Sequence, residues 1–279
     1  GEFWGVFGGI KLWGDWFNHF IGLDAALGIH APDSPLTHRL SLMNITLILG
    51  AFTAALLSRQ FRFNRPPALE FVWGALGGSL MGLGAVLAGG CTVGAFFVPT
   101  LHASPSGFVM LVGLMIGAVI GLKLLMWTLE HISWGMSAPI PKPLSPMTLR
   151  IYPWLGLAVI VGILWWATSW QGSADEKLAS RAIIILAGFA IGFVMHRSRF
   201  CVARAVREPF MTAEGDMTKA VILALAVGIP VASLIFQAEL LDPYTAIPPR
   251  FWIGSLLGGI VFGLGMVFAG GCGTGSLWR

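Results

Sequence analysis

Seven apolar stretches dominate this chain, each close to the roughly 20 residues a helix needs to cross a hydrocarbon bilayer. They run Leu40–Leu57, Phe71–Leu87, Gly107–Leu129, Tyr152–Trp170, Arg181–His196, Val221–Leu240 and Trp252–Phe268. Composition agrees: of 279 residues, 56% are hydrophobic and only 11% charged, where soluble domains carry about a quarter charged. The 37 glycines and 12 tryptophans suit helical membrane proteins, which use more glycine and anchor at the interfaces with tryptophan. The expectation is an all-α membrane protein, a multi-span helical bundle in contact with lipid. Gly1–Ile29 is interrupted by Lys11, Asp15, Asn18 and His19. It reads as a segment lying at the interface, with a crossing lined by polar, proton-coupling groups as the alternative.

Loop charge sets an orientation. Arg59, Arg62 and Arg65 follow the first span, and Arg197, Arg199, Arg204 and Arg207 follow the fifth. Four crossings separate these loops, so both fall on one side, the expected cytoplasm, together with Lys142 and Arg150. Asp175–Glu176 and Glu239–Asp242 fall outside. A net charge of +4 is accounted for by these loops. No long Lys/Arg stripe is present, so a nucleic-acid partner is not expected. Three cysteines cannot build a disulfide framework, and unbridged thiols are expected.

Leu76–Gly94 and Leu257–Gly275, offset by 181 residues, agree at 12 of 19 positions in the frame L-G-G-x-x-x-G-L-G-x-V-x-A-G-G-C-x-x-G. A cysteine and its glycines in register argue for duplication. The first copy leaves the arginine-rich side and the second the acidic side. The halves, about 1–150 and 181–279, therefore form an inverted pseudo-twofold repeat within one transmembrane domain, as in transporters with a site near the midplane. The offset pairs Arg279 with Val98. The second half thus lacks a counterpart to Gly107–Leu129, and the expectation is a chain missing one or two C-terminal helices and some N-terminal sequence.

Gly82, Gly84, Gly263 and Gly265 are expected to let helices pack closely, with Gly77–Gly78 and Gly258–Gly259 in the same role. Gly89–Gly90 and Gly270–Gly271 are different, because adjacent glycines end helices through left-handed geometry. A helix broken at membrane depth is tolerated only where it is buried in protein or faces a watery path. Short broken or re-entrant helices are therefore expected at both motifs, with Cys91 and Cys272 at the path. Thr92 and Thr274 are expected to cap the short helices, whose amide ends favour an anion. Cys201 lies one helical turn after Arg197, so the two can share a face and the cation can attract an anion or activate the thiol.

G-G-C-x-x-G in both halves, with R-S-R-F-C (Arg197–Cys201) opening the second, resembles the YeeE/YedE family of membrane proteins, which includes bacterial thiosulfate transporters. Gly1–Phe3, Ser34–Leu36 and the stretch from Cys201 to Lys219 look most like its YedE branch. The resemblance implies a multi-pass bacterial inner-membrane protein that passes thiosulfate or a related sulfur anion along Cys91, Cys201 and Cys272. Gly90, Thr92, Gly94, Arg197, Gly271, Thr274 and Gly275 would border that path. One position departs: "DWFNHF" (Asp15–Phe20) stands where relatives carry a first-half thiol.

Thiosulfate is a dianion and costly to desolvate. A neutral S–H is a weak donor, and weak successive contacts let an ion enter without being trapped. The thiols are expected to stay protonated during transport. No enzyme activity, cofactor or metal is expected, since soft-metal sites need denser thiol or imidazole spacing than this. The alternatives are a membrane sulfur relay, forming a persulfide on Cys201 for a small cytoplasmic sulfur carrier, and a transporter of selenium compounds.

Overall fold

Every long apolar stretch in the computed structural model is a helix, and the described residues are 4–23, 28, 32–62, 68–131, 146–172, 175–211, 214–238 and 252–278. In chain order the helices are α1 (Val6–Ile21), α2 (Arg39–Leu57) and α3 (Ala68–Ala88), then a π-helix (Thr92–Phe97) leading into α4 (Val98–Leu101). There follow α5 (Pro105–His131), α6 (Pro146–Gln171), α7 (Glu176–Ser198), α8 (Val202–Met211), α9 (Asp216–Gln237), α10 (Trp252–Phe268) and α11 (Gly273–Trp278). No strand occurs among the described residues. Seven helical segments are long and apolar enough to cross a membrane, which makes this a multi-pass membrane protein. Arg65, Lys142, Glu239–Asp242 and Gly1–Phe3 lie outside the described residues.

Helix α1 is 16 residues long, shorter than a spanning helix requires. Lys11 Nζ pairs with Asp15 Oδ2 at 2.8 Å, one turn apart along the helix. The ring of His19 meets Trp16 edge-on. Within the longer helices several hydroxyls bond back to carbonyls of the preceding turn, which satisfies them in an apolar setting. Thr46 donates to Leu42 O at 2.9 Å, Thr53 to Leu49 O at 2.8 Å, and Ser58 to Ala54 O at 2.6 Å.

The helices gather into two compact units. One takes in Gly8–Arg65, Ile140–Arg199 and the last three residues. Here α2 packs on α7, with α6 against both. A Cβ at Gly50 would run into the Phe189 carbonyl, and one at Gly192 into that of Leu47, so the backbones nearly touch. Buried Leu42, Ile163, Ala167 and Ile185 fill the space between. Asn44 is fully buried against α1, where a Cβ at Gly9 would strike its amide.

The other unit takes in Gly1–Phe7, Pro66–Pro139 and Phe200–Ser276. Its centre is α10, clasped by α3 and α5. A Cβ at Gly84 would lie 2.5 Å from Phe262 N, one at Gly258 2.5 Å from Ala88 N, and one at Gly265 2.7 Å from Gly77 O. Gly84 thus faces Gly258 while Gly77 faces Gly265, so α3 and α10 run antiparallel. On the other side Gly259 and Gly263 meet Met110, Gly113 and Leu114 of α5, and Gly117 meets Ile260. Gly78 and Gly82 depart from the expected packing role: no atom lies within 4 Å of a Cβ built on either. They point away from α10, so the close approach on α3 rests on Gly77 and Gly84. Each unit draws segments from both sequence halves.

Gly117→Val should cost about 1–3 kcal/mol, because its side chain must displace the α10 backbone instead of a flexible neighbour. Thermal unfolding of the detergent-solubilised protein checks this. Gly162→Ala, at a position with open space around it, is the matched control and should leave the midpoint unchanged or raised.

Candidate thiol cluster at two helix breaks

Helix α3 stops at Ala88, and Gly89 takes φ +74°. Gly90 N–H donates to Ala85 O at 2.8 Å and Gly89 N–H to Val86 O at 3.3 Å, the pair of bonds that closes a helix through a left-handed glycine. Helix α10 ends alike: Gly270 has φ +72° and its N–H donates to Val267 O at 3.3 Å. A side chain at either glycine would strain the left-handed turn. Each break is followed by a cysteine and a short helix.

The cysteines themselves hold the cap position of those helices. Cys91 O accepts from Ala95 N at 2.8 Å and Cys272 O from Ser276 N at 2.9 Å. Cys272 Sγ also accepts from Gly275 N–H at 3.3 Å, the bond a capping side chain makes three residues into a helix. Capping by Thr92 and Thr274 is therefore not what forms. The first helical bond begins one or two residues earlier, and each threonine falls inside its helix.

All three cysteines are 2% exposed or less. Cys201 Sγ lies 3.9 Å from Cys272 Sγ. A Cβ at Gly275 would sit 3.0 Å from Cys201 Sγ and 3.4 Å from Cys272 Sγ, so this glycine leaves room for both sulfurs. Cys91 adjoins the same place, since a Cβ at Gly273 would lie 4.0 Å from Cys91 Cβ. The buried Thr92 and Thr274 hydroxyls have no hydrogen-bond partner. Gly90 and Gly271 are buried at the two bends. A Cβ at Gly94 would lie 3.7 Å from Gly5 Cα.

Arg197 does not join Cys201 on one helical face. Helix α7 ends at Ser198, Arg199 takes a left-handed φ of 52°, and α8 begins only at Val202. The turn at Arg199 interrupts the helical spacing on which the pairing depended, and Arg197 is exposed. On α8, Arg204 Nε is held by Glu208 Oε1 at 2.6 Å. Gly5 and Val6 were not expected at this site. A Cβ at Gly5 would lie 3.8 Å from Cys91 Sγ, and Val6 Cγ1 lies 3.9 Å from the place of a Cβ at Gly273. The lone signal for them in the sequence is a small and an apolar residue at the start of α1.

A cavity of about 340 Å³ in the same unit is lined by apolar side chains including Phe96, Met115, Val202, Phe210 and Leu225. Its one hydroxyl, Thr218, already donates to Ala205 O at 2.6 Å. An anion would find no free donor in this cavity. No group of three or more His, Cys, Asp or Glu side chains able to hold a metal occurs among the described residues.

Gly275→Ala should press on both sulfurs and destabilise the protein by about 1–3 kcal/mol. Adding Cys272→Ala should recover part of that loss, because the two changes share one space. Melting temperatures of the two single variants and the double variant test this coupling.

The chain matches the family described as sulphur transport over residues 3–120 and 197–279. It is 30% identical over 290 aligned residues to the "Probable transporter YedE" of Escherichia coli K12, covering all of this chain and 70% of that protein. The Salmonella typhimurium protein of the same name matches to the same extent. Over 95 residues, 34% of this chain and 26% of the relative, it is 37% identical to the "Thiosulfate transporter TsuA" of Escherichia coli K12. No solved structure matches. A polytopic all-helical chain whose two Gly-Gly-Cys segments both fall inside the matched residues thus belongs to the sulphur transport family, the YeeE/YedE proteins.

Proposed function

We propose that this protein carries thiosulfate, or a closely related sulfur-containing anion, across the bacterial inner membrane, with Cys91, Cys201 and Cys272 as successive contacts for the ion. The observation that carries this reading is the gathering of three thiols, from far-separated positions, beside two helix breaks. With them stand two buried threonine hydroxyls that lack well-formed hydrogen bonds. A relative named for thiosulfate transport matches part of the chain, which supports the choice of substrate.

The chemistry is complementary. Thiosulfate presents sulfonate oxygens, which accept from hydroxyls, and a soft terminal sulfur, which accepts from S–H. Neutral donors offset part of the desolvation cost without the grip of a buried cation, so the ion can move on. Protonated thiols are required, because a thiolate would repel the dianion. Arg197 stays a candidate for drawing anions toward the path from the cytoplasmic side, acting through long-range charge. Gly90, Gly94, Gly271 and Gly275 serve by keeping side chains out of the route.

An inverted pseudo-twofold repeat, with re-entrant short helices at both Gly-Gly-Cys motifs, is part of the proposal. Contacts between α3 and α10 support it. Under the 181-residue offset Gly84 maps to Gly265 and Gly77 to Gly258, so the Gly84–Gly258 contact maps onto the Gly77–Gly265 contact. Such reciprocity is what a twofold axis produces.

Thiosulfate uptake into membrane vesicles tests the reading, with wild type beside Cys91→Ala and Cys272→Ala at equal protein level. Loss of one donor at about 0.5–1.5 kcal/mol predicts uptake reduced by roughly twofold to tenfold in each variant. Unchanged uptake in both returns the thiols to a packing role. No uptake by wild type overturns thiosulfate as the substrate.

A further inference from the structure

Cys201 and Cys272 stand 71 positions apart in sequence, yet their sulfurs approach to 3.9 Å in a buried setting. Each follows a long helix that ends through a left-handed residue, Arg199 at φ 52° and Gly270 at φ 72°. Each also immediately precedes a short helix, α8 or α11. Both thiols therefore sit on short links between helices, not within regular helix. A disulfide needs sulfurs at about 2.05 Å. Side-chain rotation and small movements of two such links can close that gap. The missing side chain at Gly275 leaves space beside both sulfurs for them to turn. No third ligand gathers on the pair to make a metal site among the described residues.

We propose that Cys201 and Cys272 form a redox-active dithiol, closed to an intramolecular disulfide by hydrogen peroxide, a small neutral oxidant. In the first step one thiol sulfur attacks a peroxide oxygen. The O–O bond breaks, the cysteine becomes a sulfenic acid, and water leaves with the thiol proton. In the second step the other thiol attacks the sulfenic sulfur, the S–S bond forms, and a second water leaves. Two electrons pass from the pair of sulfurs to one peroxide molecule. The closed form ties the start of α8 to the start of α11 and removes both S–H groups. The inference concerns thiol chemistry and stands apart from the transport reading, because it is measured without substrate.

The test treats the full-length protein in membrane vesicles with hydrogen peroxide, followed by denaturation in N-ethylmaleimide, digestion and mass spectrometry. The expected product is a Cys201–Cys272 linked peptide, two hydrogens lighter than the separate thiols and split by dithiothreitol. Cys91→Ser should give the same linkage. In Cys201→Ser the partner should stop at a sulfenic acid that dimedone traps. Full maleimide labelling of both cysteines after peroxide, a linkage to Cys91, or separate sulfinic acids without linkage would each overturn the proposal.

Discussion

Backbone-to-backbone approach of α3 and α10 is the contact on which the rest of the larger unit depends. Lipid offers no hydrophobic gain for bringing two helices together, so association rests on packing and on how near the backbones can come. Gly77, Gly84, Gly258 and Gly265 permit that approach by having nothing where a Cβ would collide. Once α3 and α10 are in register, their ends are placed as well. The turns at Gly89 and Gly270 follow, and with them the positions of Cys91 and Cys272.

A broken helix carries its own demand. Peptide groups freed at the break must find partners without help from water. Here left-handed glycines return N–H groups to the carbonyls of the preceding turn, and the cysteine that follows accepts the first bond of the next helix. At Cys272 the sulfur accepts a further backbone N–H. These cysteines therefore have a part in the fold itself, as the first acceptors of the short helices. Among the donors in this place, the Thr274 hydroxyl has no acceptor of its own, which is costly in a buried setting. On the proposed reading, an anion rich in acceptors would relieve that cost.

Much of the helical layout was legible from residue pattern. Trp252–Phe268 forms as expected, and the other long helices extend one or both expected ends by one to six residues, while α2 keeps its expected end at Leu57 and α9 stops at Gln237 instead of Leu240. Long apolar runs admit few alternatives to a helix, whereas end positions depend on local turn chemistry. The glycines were harder to assign. Gly82 and Gly84 look alike in sequence, but only Gly84 faces α10, because that choice depends on how the helix is rotated against its neighbour. Arg197 and Cys201 show the opposite failure. Four-residue spacing suggested a shared face, and a single left-handed residue at Arg199 dissolved it.

What the sequence alone determined was the class of protein: seven apolar runs demand helices in lipid, and the repeated Gly-Gly-Cys marks where two of them must stop. It also identified the three cysteines as exceptional, since two recur in one frame. Only the tertiary structure decided that Cys201 meets Cys272, that Gly275 holds the space beside both sulfurs, and that Gly5 and Val6 border Cys91 and Gly273. The physical reason is that helix formation answers to neighbours within a turn or two of the chain. The meeting of residues 91, 201 and 272 is set instead by which helix faces can approach closely, a property of the packed bundle and of no single segment.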